Sequence, residues 1–259
     1  MMTAKARHPA IRCFRLSEQP SARLVCLPHA GGSASCYRDW GKVLPDHLDL
    51  LAVQYPGREE RYPEPFADSL EALADDITEA LAPFAGVPLV LFGHSLGAAL
   101  AYEVALRLRR RKLSLSRLVV SAHPAPHRQR DSALHQQGDA ALLEDIRRLS
   151  GGRTPLDEPA MRELFMPMLR NDYRLIERYT RDCPESVGVP VDVCFPLDDA
   201  EINEDEVRAW QDVTPWTLGI LPFHGGHFYL REQYPDLVDR VLQRLDFPIS
   251  QGGRRYVTT

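Results

Sequence analysis

The chain has 259 residues, 44% hydrophobic and 26% charged, a balance that places it among globular proteins with a core to bury. Its formal net charge of -5 argues against a general nucleic-acid binder, and no apolar run follows the first residues as a secretory leader requires. The five cysteines, Cys13, Cys26, Cys36, Cys183 and Cys194, are odd in number and scattered, without zinc-ligand or redox spacing, which fits a reducing cytoplasm.

In chain order, the stretch to about Pro20 is polar and is expected to be loosely held. Strand-like runs follow at Arg23–Leu27, Leu48–Gln54, Leu89–Phe92, Leu118–Ser121, Val189–Phe195 and Thr217–Leu221, with Cys26 and Cys194 as buried thiols in two of them. Leu70, Leu73, Ile77, Leu81 and Phe84 recur at helical spacing after an Asp68 or Ser69 cap. Leu237, Val238, Val241, Leu242 and Leu245 repeat the pattern, with Pro235 suited to a first turn. Alternating strands and helices predict an α/β fold, a mostly parallel sheet with helices on both faces, built as one domain over residues 1–259. From His123 to Pro184 no strand signal appears. Helical patterns at Leu142–Leu149 and Glu163–Tyr179, parted by Gly151-Gly152, predict a helical insertion at about 123–184. Over the carboxyl ends of the strands it would form a lid. Residues from about Gln251 read as a frayed tail.

The chemistry concentrates in Gly93-His94-Ser95-Leu96-Gly97, which follows a short apolar strand and opens an apolar helical pattern. This is the setting in which a serine nucleophile is presented on a sharp strand-to-helix turn. The glycines are required where Cβ atoms would clash, and the new helix aims its unpaired N–H groups at the reacting atom. A membrane helix, which Gly93 and Gly97 would also suit, is excluded by His94, Ser95 and Glu103 in the apolar stretch.

A nucleophilic serine needs a base, and the base an orienting acid, in chain order serine, acid, histidine for this architecture. The acid position after Val189–Phe195 holds both Asp198 and Asp199. The histidine position after Thr217–Leu221 holds both His224 and His227. Leu96 supplies one oxyanion N–H, and a second is expected from the loop Pro28-His29-Ala30-Gly31-Gly32-Ser33. His94 is expected to turn away from the site, whereas His123 at a strand end is within reach of it. No Gly-x-Gly-x-x-Gly, phosphate loop or metal-spaced cluster is present, so no cofactor or metal is expected.

Four segments together, Leu27-Pro28-His29-Ala30-Gly31-Gly32-Ser33, Val53-Gln54-Tyr55-Pro56-Gly57-Arg58, Gly93-His94-Ser95-Leu96-Gly97 and Gly225-Gly226-His227-Phe228, resemble the type II thioesterases of polyketide and nonribosomal peptide assembly lines, over about residues 22 to 245. The resemblance implies an α/β-hydrolase fold with a helical lid. It also implies hydrolysis of acyl groups from the phosphopantetheine thiol of carrier proteins. It matches Ser95 as nucleophile, His227 as base, and the backbone N–H groups of Ala30 and Leu96 as oxyanion donors. The family's acid pattern falls on Asp199, followed by Ile202 and Trp210. Two departures stand out. The glycine usual before the acid is replaced within Cys194-Phe195-Pro196-Leu197, which keeps Asp198 as an alternative, and His224 stands where a proline is usual. A carboxylesterase or lipase for small esters, or an acyltransferase, would use the same three side chains.

Two further expectations concern substrate and partner. Met161, Met166 and Met168 in the insertion either pack a lid helix or line an adaptable acyl pocket. The partner implied by the resemblance is an acyl or peptidyl carrier protein, typically acidic, with no nucleic acid and no membrane involved. The cluster Arg107, Arg109, Arg110, Arg111 and Lys112 lies a helix length, about 20 Å, from Ser95. Docking is therefore expected at Arg58, Arg61, Arg128 or Arg130 instead.

Overall fold

Leu89–His94, all six residues buried, is the strand on which the molecule is organised, because its carboxyl end presents Ser95. The computed structural model describes residues 8–245. Seven strands form one sheet: β1 (Ile11–Arg15), β2 (Ala22–Leu27), β3 (Leu48–Val53), β4 (Leu89–His94), β5 (Leu115–Ser121), β6 (Val191–Pro196) and β7 (Gly219–Phe223), in the order β1-β3-β2-β4-β5-β6-β7. All pairings are parallel except that of β1 with β3. The Val- and Leu-rich composition of β3 and β4 follows from burial on both faces, the signature of a covered parallel sheet.

Helices cover both sides. On one face α1 (Leu70–Leu81) and α2 (Leu96–Arg110) close a core that includes Leu73, Ile77, Leu100, Tyr102 and Trp210. On the other, a 3-10 segment (Ala34–Lys42) with Tyr37 and Trp40 packs with Leu237, Val238 and Val241 of α6 (Leu230–Leu242). Ser69 is the cap of α1, its side chain accepting the Ala72 N–H at 3.1 Å. The loop after β6, which holds Asp198 and Asp199, leads into a short helix, α5 (Glu204–Arg208).

Between β5 and β6 stand α3 (Asp139–Ser150) and α4 (Pro159–Arg178), the expected helical insertion. Gly151, with φ 73°, ends α3 in the left-handed conformation that glycine adopts without strain. The two helices share an apolar cluster of Leu142, Leu143, Ile146, Met166, Leu169 and Tyr173. The carboxyl-terminal end of the insertion is anchored to α2. Buried Glu103 accepts from Tyr179 Oη at 2.8 Å and from Arg181 Nη2 at 2.6 Å, and pairs with Arg107 at 2.5 Å.

Two expectations are corrected. The stretch before Pro20 is not loose throughout, since Ile11–Arg15 is an edge strand on β3. Its arginines obscured the signal because an edge strand buries little and tolerates charge. Pro235 lies inside α6, which starts earlier at Leu230, rather than in its first turn. The tail expected from Gln251 lies outside the described residues. No helix among the described residues is long and apolar enough to cross a membrane.

Candidate active site

Ser95 stands between β4 and α2 with φ 54° and ψ -123°, a conformation that a residue with a Cβ holds only when its surroundings impose it. The surroundings do so on three sides. The Ser95 N–H donates to Ser121 O of β5 at 2.9 Å. A Cβ on Gly93 would lie 2.0 Å from Gly97 O, and a Cβ on Gly97 would lie 2.1 Å from Leu27 O. The helix thus enters directly against β2 and β4, and the turn has no room to relax. Leu96 is the first residue of α2, where backbone N–H groups lack intrahelical acceptors.

The loops after β6 and β7 meet beside this turn. His227 Nδ1 donates to Asp199 Oδ2 at 2.8 Å, both side chains being buried. Asp199 is held in turn by the Glu201 N–H, which donates to its Oδ1 at 3.0 Å. With Nδ1 so committed, His227 Nε2 is left as the acceptor nitrogen. Asp198 is exposed and has another task. Its Oδ2 accepts the Gly225 N–H at 2.8 Å and its own N–H donates to Gly225 O at 3.1 Å, joining the acid loop to the histidine loop. His224 is exposed, and its carbonyl accepts from Gln233 Nε2 at 2.6 Å.

One cavity of about 300 Å³ takes in Ser95, Leu96, His29, Ala30, His123 and His227. Leu134, Ile146, Leu149, Tyr173 and Ile176 of the insertion supply its apolar wall, and Arg130, Arg148 and Glu201 also line it. A hydroxyl, an imidazole with a carboxylate behind it, and a helix N-terminus facing one apolar cavity form an arrangement competent for nucleophilic acyl transfer. No group of His, Cys, Asp and Glu among the described residues is arranged to hold a metal ion.

The other histidines near the site are kept neutral. His94, fully buried, sits with its ring 5.1 Å from that of His227, and its Nδ1 lies 3.0 Å from Ser121 Oγ, which itself contacts Tyr229 Oη at 2.9 Å. Desolvation pushes its pKa well below the ordinary 6.5, with the positive charge His227 can carry adding to the effect. His123, bonded through Nδ1 to Pro124 O at 2.8 Å, is pushed down to about 4 by burial. His29 is lowered to about 3, first by burial and then by Arg231, His227 and Arg58.

Two readings of the sequence are corrected by position. Arg58 and Arg61, expected on a docking surface, are only 4% and 6% exposed. Arg58 forms a buried ion pair with Asp172 of α4, and Arg61 pairs with Glu64 and Asp76. Nothing in the sequence singled out Asp172, since a carboxylate in a helical pattern reads as solvated. Arg128 and Arg130 are exposed, and Arg130 pairs with Glu206 at 2.7 Å. Met166 and Met168 are buried, Met166 in the cluster shared by α3 and α4, and neither lines the cavity.

A family model for the thioesterase domain matches residues 22–245. The chain belongs to the thioesterase family. Among curated members, a probable cadicidin biosynthesis thioesterase of Streptomyces griseus is 35% identical over 91% of this chain, which spans 65% of that protein's length. Thioesterase PikA5 of Streptomyces venezuelae is 37% identical, with 91% of this chain and 85% of that protein covered. Among solved structures, the type II thioesterase BorB from the borrelidin biosynthetic cluster superposes with a TM-score of 0.84 at 36% identity, covering 91% of this chain and 97% of that one. The family's α/β-hydrolase fold is that of the sheet and helices described above.

Proposed function

We propose that this chain is a serine thioesterase that hydrolyses acyl groups from the phosphopantetheine thiol of an acyl or peptidyl carrier protein, clearing misprimed or stalled units in polyketide or nonribosomal peptide biosynthesis. The observation that carries the reading is the buried His227–Asp199 bond of 2.8 Å, with His227 lining the same cavity as Ser95. Membership of the thioesterase family supports it.

In this mechanism His227 Nε2 takes the proton of Ser95 as Oγ attacks the thioester carbonyl carbon. The carbonyl oxygen gains negative charge, and the N–H groups of Ala30 and Leu96 receive it. The C–S bond then breaks, and His227 returns the proton to the departing thiolate. A thiol of pKa about 8.5 departs far more readily than an amine. Asp199 holds the imidazole in the tautomer that leaves Nε2 free to accept, and stabilises it once protonated. Water, deprotonated by His227, attacks the acyl-serine, and the carboxylic acid leaves as Ser95 recovers its proton. Each step uses groups of this chain, the substrate and water.

The carrier protein is assigned to the face bearing Arg128 and Arg130, the exposed members of the four arginines considered. The reaction is placed in the cytoplasm, in keeping with free thiols at Cys26, Cys36, Cys183 and Cys194. The test is a hydrolysis panel presenting one acyl group on carrier protein, on coenzyme A, on a short thiol and as an oxygen ester. Fastest turnover on the carrier protein is expected. A preference for the oxygen ester would make the chain a carboxylesterase and overturn the proposal.

A further inference from the structure

The loop that carries Ala30 is gripped by a single buried ion pair. His29 to Gly32 form a turn closed by the Gly32 N–H donating to His29 O at 2.9 Å, with Gly31 at φ 77°. A turn this short has no core of its own, and its shape depends on what holds it. Asp172 of α4 accepts the Gly31 N–H through Oδ2 at 2.8 Å. Arg58, in the loop after β3, donates from Nη1 to Gly32 O at 2.9 Å. The two side chains then close on each other as a bidentate pair, Nη1 to Oδ2 at 2.8 Å and Nη2 to Oδ1 at 2.7 Å.

The same segment that supplies Arg58 holds the rest of the loop. Tyr55 Oη donates to Pro28 O at 2.8 Å, and Gln54 Oε1 accepts the Ala34 N–H at 3.1 Å. The Arg58 guanidinium lies over the Tyr55 ring, 5.1 Å from its centroid. Stability alone does not call for an ion pair here, because well-packed apolar side chains often serve a buried position as well. A charged pair offers direction instead. It aims an acceptor at Gly31 and a donor at Gly32, on either side of the peptide that joins them.

We propose that Arg58 and Asp172 are positioning residues that set the Ala30 N–H in the oxyanion hole, so that its alignment depends on α4 being seated. The proposal rests on the reading of Ser95 as nucleophile and Ala30 as oxyanion donor. The residue after Asp172 is Tyr173, which lines the cavity, so one helix both bounds the acyl site and aligns the oxyanion donor.

The test compares Ser95 labelling by a fluorophosphonate probe with kcat and KM on an acyl thioester, in wild type and two variants. Arg58→Met combined with Asp172→Leu leaves no unpaired buried charge. Arg58→Lys keeps the charge but loses the fork that reaches both Gly32 and Asp172. Labelling and kcat are expected to fall about tenfold to a hundredfold, less than or comparable to loss of one whole oxyanion donor. KM should stay within about threefold, and the melting temperature of the folded variants close to wild type. Wild-type labelling and kcat in the folded double variant, or in Arg58→Lys if the double variant does not fold, would overturn the proposal. Failure of the wild type to label overturns it together with the serine reading. Labelling that slows in the variants, in a wild type that leaves thioesters intact, supports the positioning role and rejects only the thioesterase reading.

Discussion

Acidification from pH 7 to pH 5 should remove a large part of this fold's stability through three imidazoles beside the site. His94 has no exposed surface and His123 is 6% exposed. Burial lowers the pKa of both and of His29, to about 4 for His123 and about 3 for His29. In the unfolded chain each would titrate near 6.5. Below that value the unfolded chain binds a proton at each site that the folded one refuses, so stability is lost as pH falls. The loss is about 2 kcal/mol per group at pH 5, or about 6 kcal/mol for the three. Domains commonly have only about 5–15 kcal/mol in reserve. Glu103, Glu177 and Glu206 have lowered pKa values, so their contribution belongs to more acid conditions. Urea unfolding followed by tryptophan fluorescence at the two pH values measures the difference, and His123→Gln should lower it by about a third. A stability at pH 5 within about 1 kcal/mol of that at pH 7 would show that the three rings are not held neutral.

Asp199→Asn should lower turnover by about a thousandfold or more because it removes the carboxylate that holds His227. Asp198→Asn should keep most activity, since its amide oxygen can still accept the Gly225 N–H, and steady-state rates on one acyl thioester decide between them. Ser95→Gly should abolish turnover yet raise thermal stability over Ser95→Ala by about 1 kcal/mol, since glycine relieves the positive φ; calorimetry of both checks this. Leu149→Trp, which fills the cavity wall, should shift the acyl-length preference toward short chains, whereas Met166→Leu should leave the profile unchanged. A panel of acyl thiols of graded length would tell the two apart.

Most of the parallel sheet could be read from the chain because its strands are buried on both faces and are continuous apolar runs. The serine turn was equally readable, since Gly93 and Gly97 are forced by backbone contacts that allow no side chain. Legibility fell where the deciding partner is distant in sequence. Arg58 and Asp172 are 114 residues apart, and although Arg58 stands in a recognisable segment, nothing near either residue names the other as its partner. β1 was missed because an edge strand needs no long apolar run, and its pairing with β3 is what defines it. Two adjacent aspartates are indistinguishable by residue type. It took the fold to bury Asp199 against His227 and leave Asp198 exposed, bonded to Gly225.

The attachments of α4 divide the helix into two mechanical parts. Asp172 ties its middle to Arg58, and the residues at and just beyond its carboxyl end, Tyr179 and Arg181, tie it to Glu103 of α2. Swinging the whole helix aside would strand buried charges at both points, at several kcal/mol each. Pro167 lies upstream of both anchors, and its missing N–H removes a hydrogen bond from the helix there. The portion before it, which carries exposed Met161 and Leu164, is held by apolar contacts and by Arg162, which donates to Leu156 O at 3.0 Å and to Asp157 O at 3.2 Å. The first two turns of α4 are therefore the less firmly held part of the helix, while the part beside the His29–Gly32 loop, which carries the cavity-lining Tyr173 and Ile176, stays fixed.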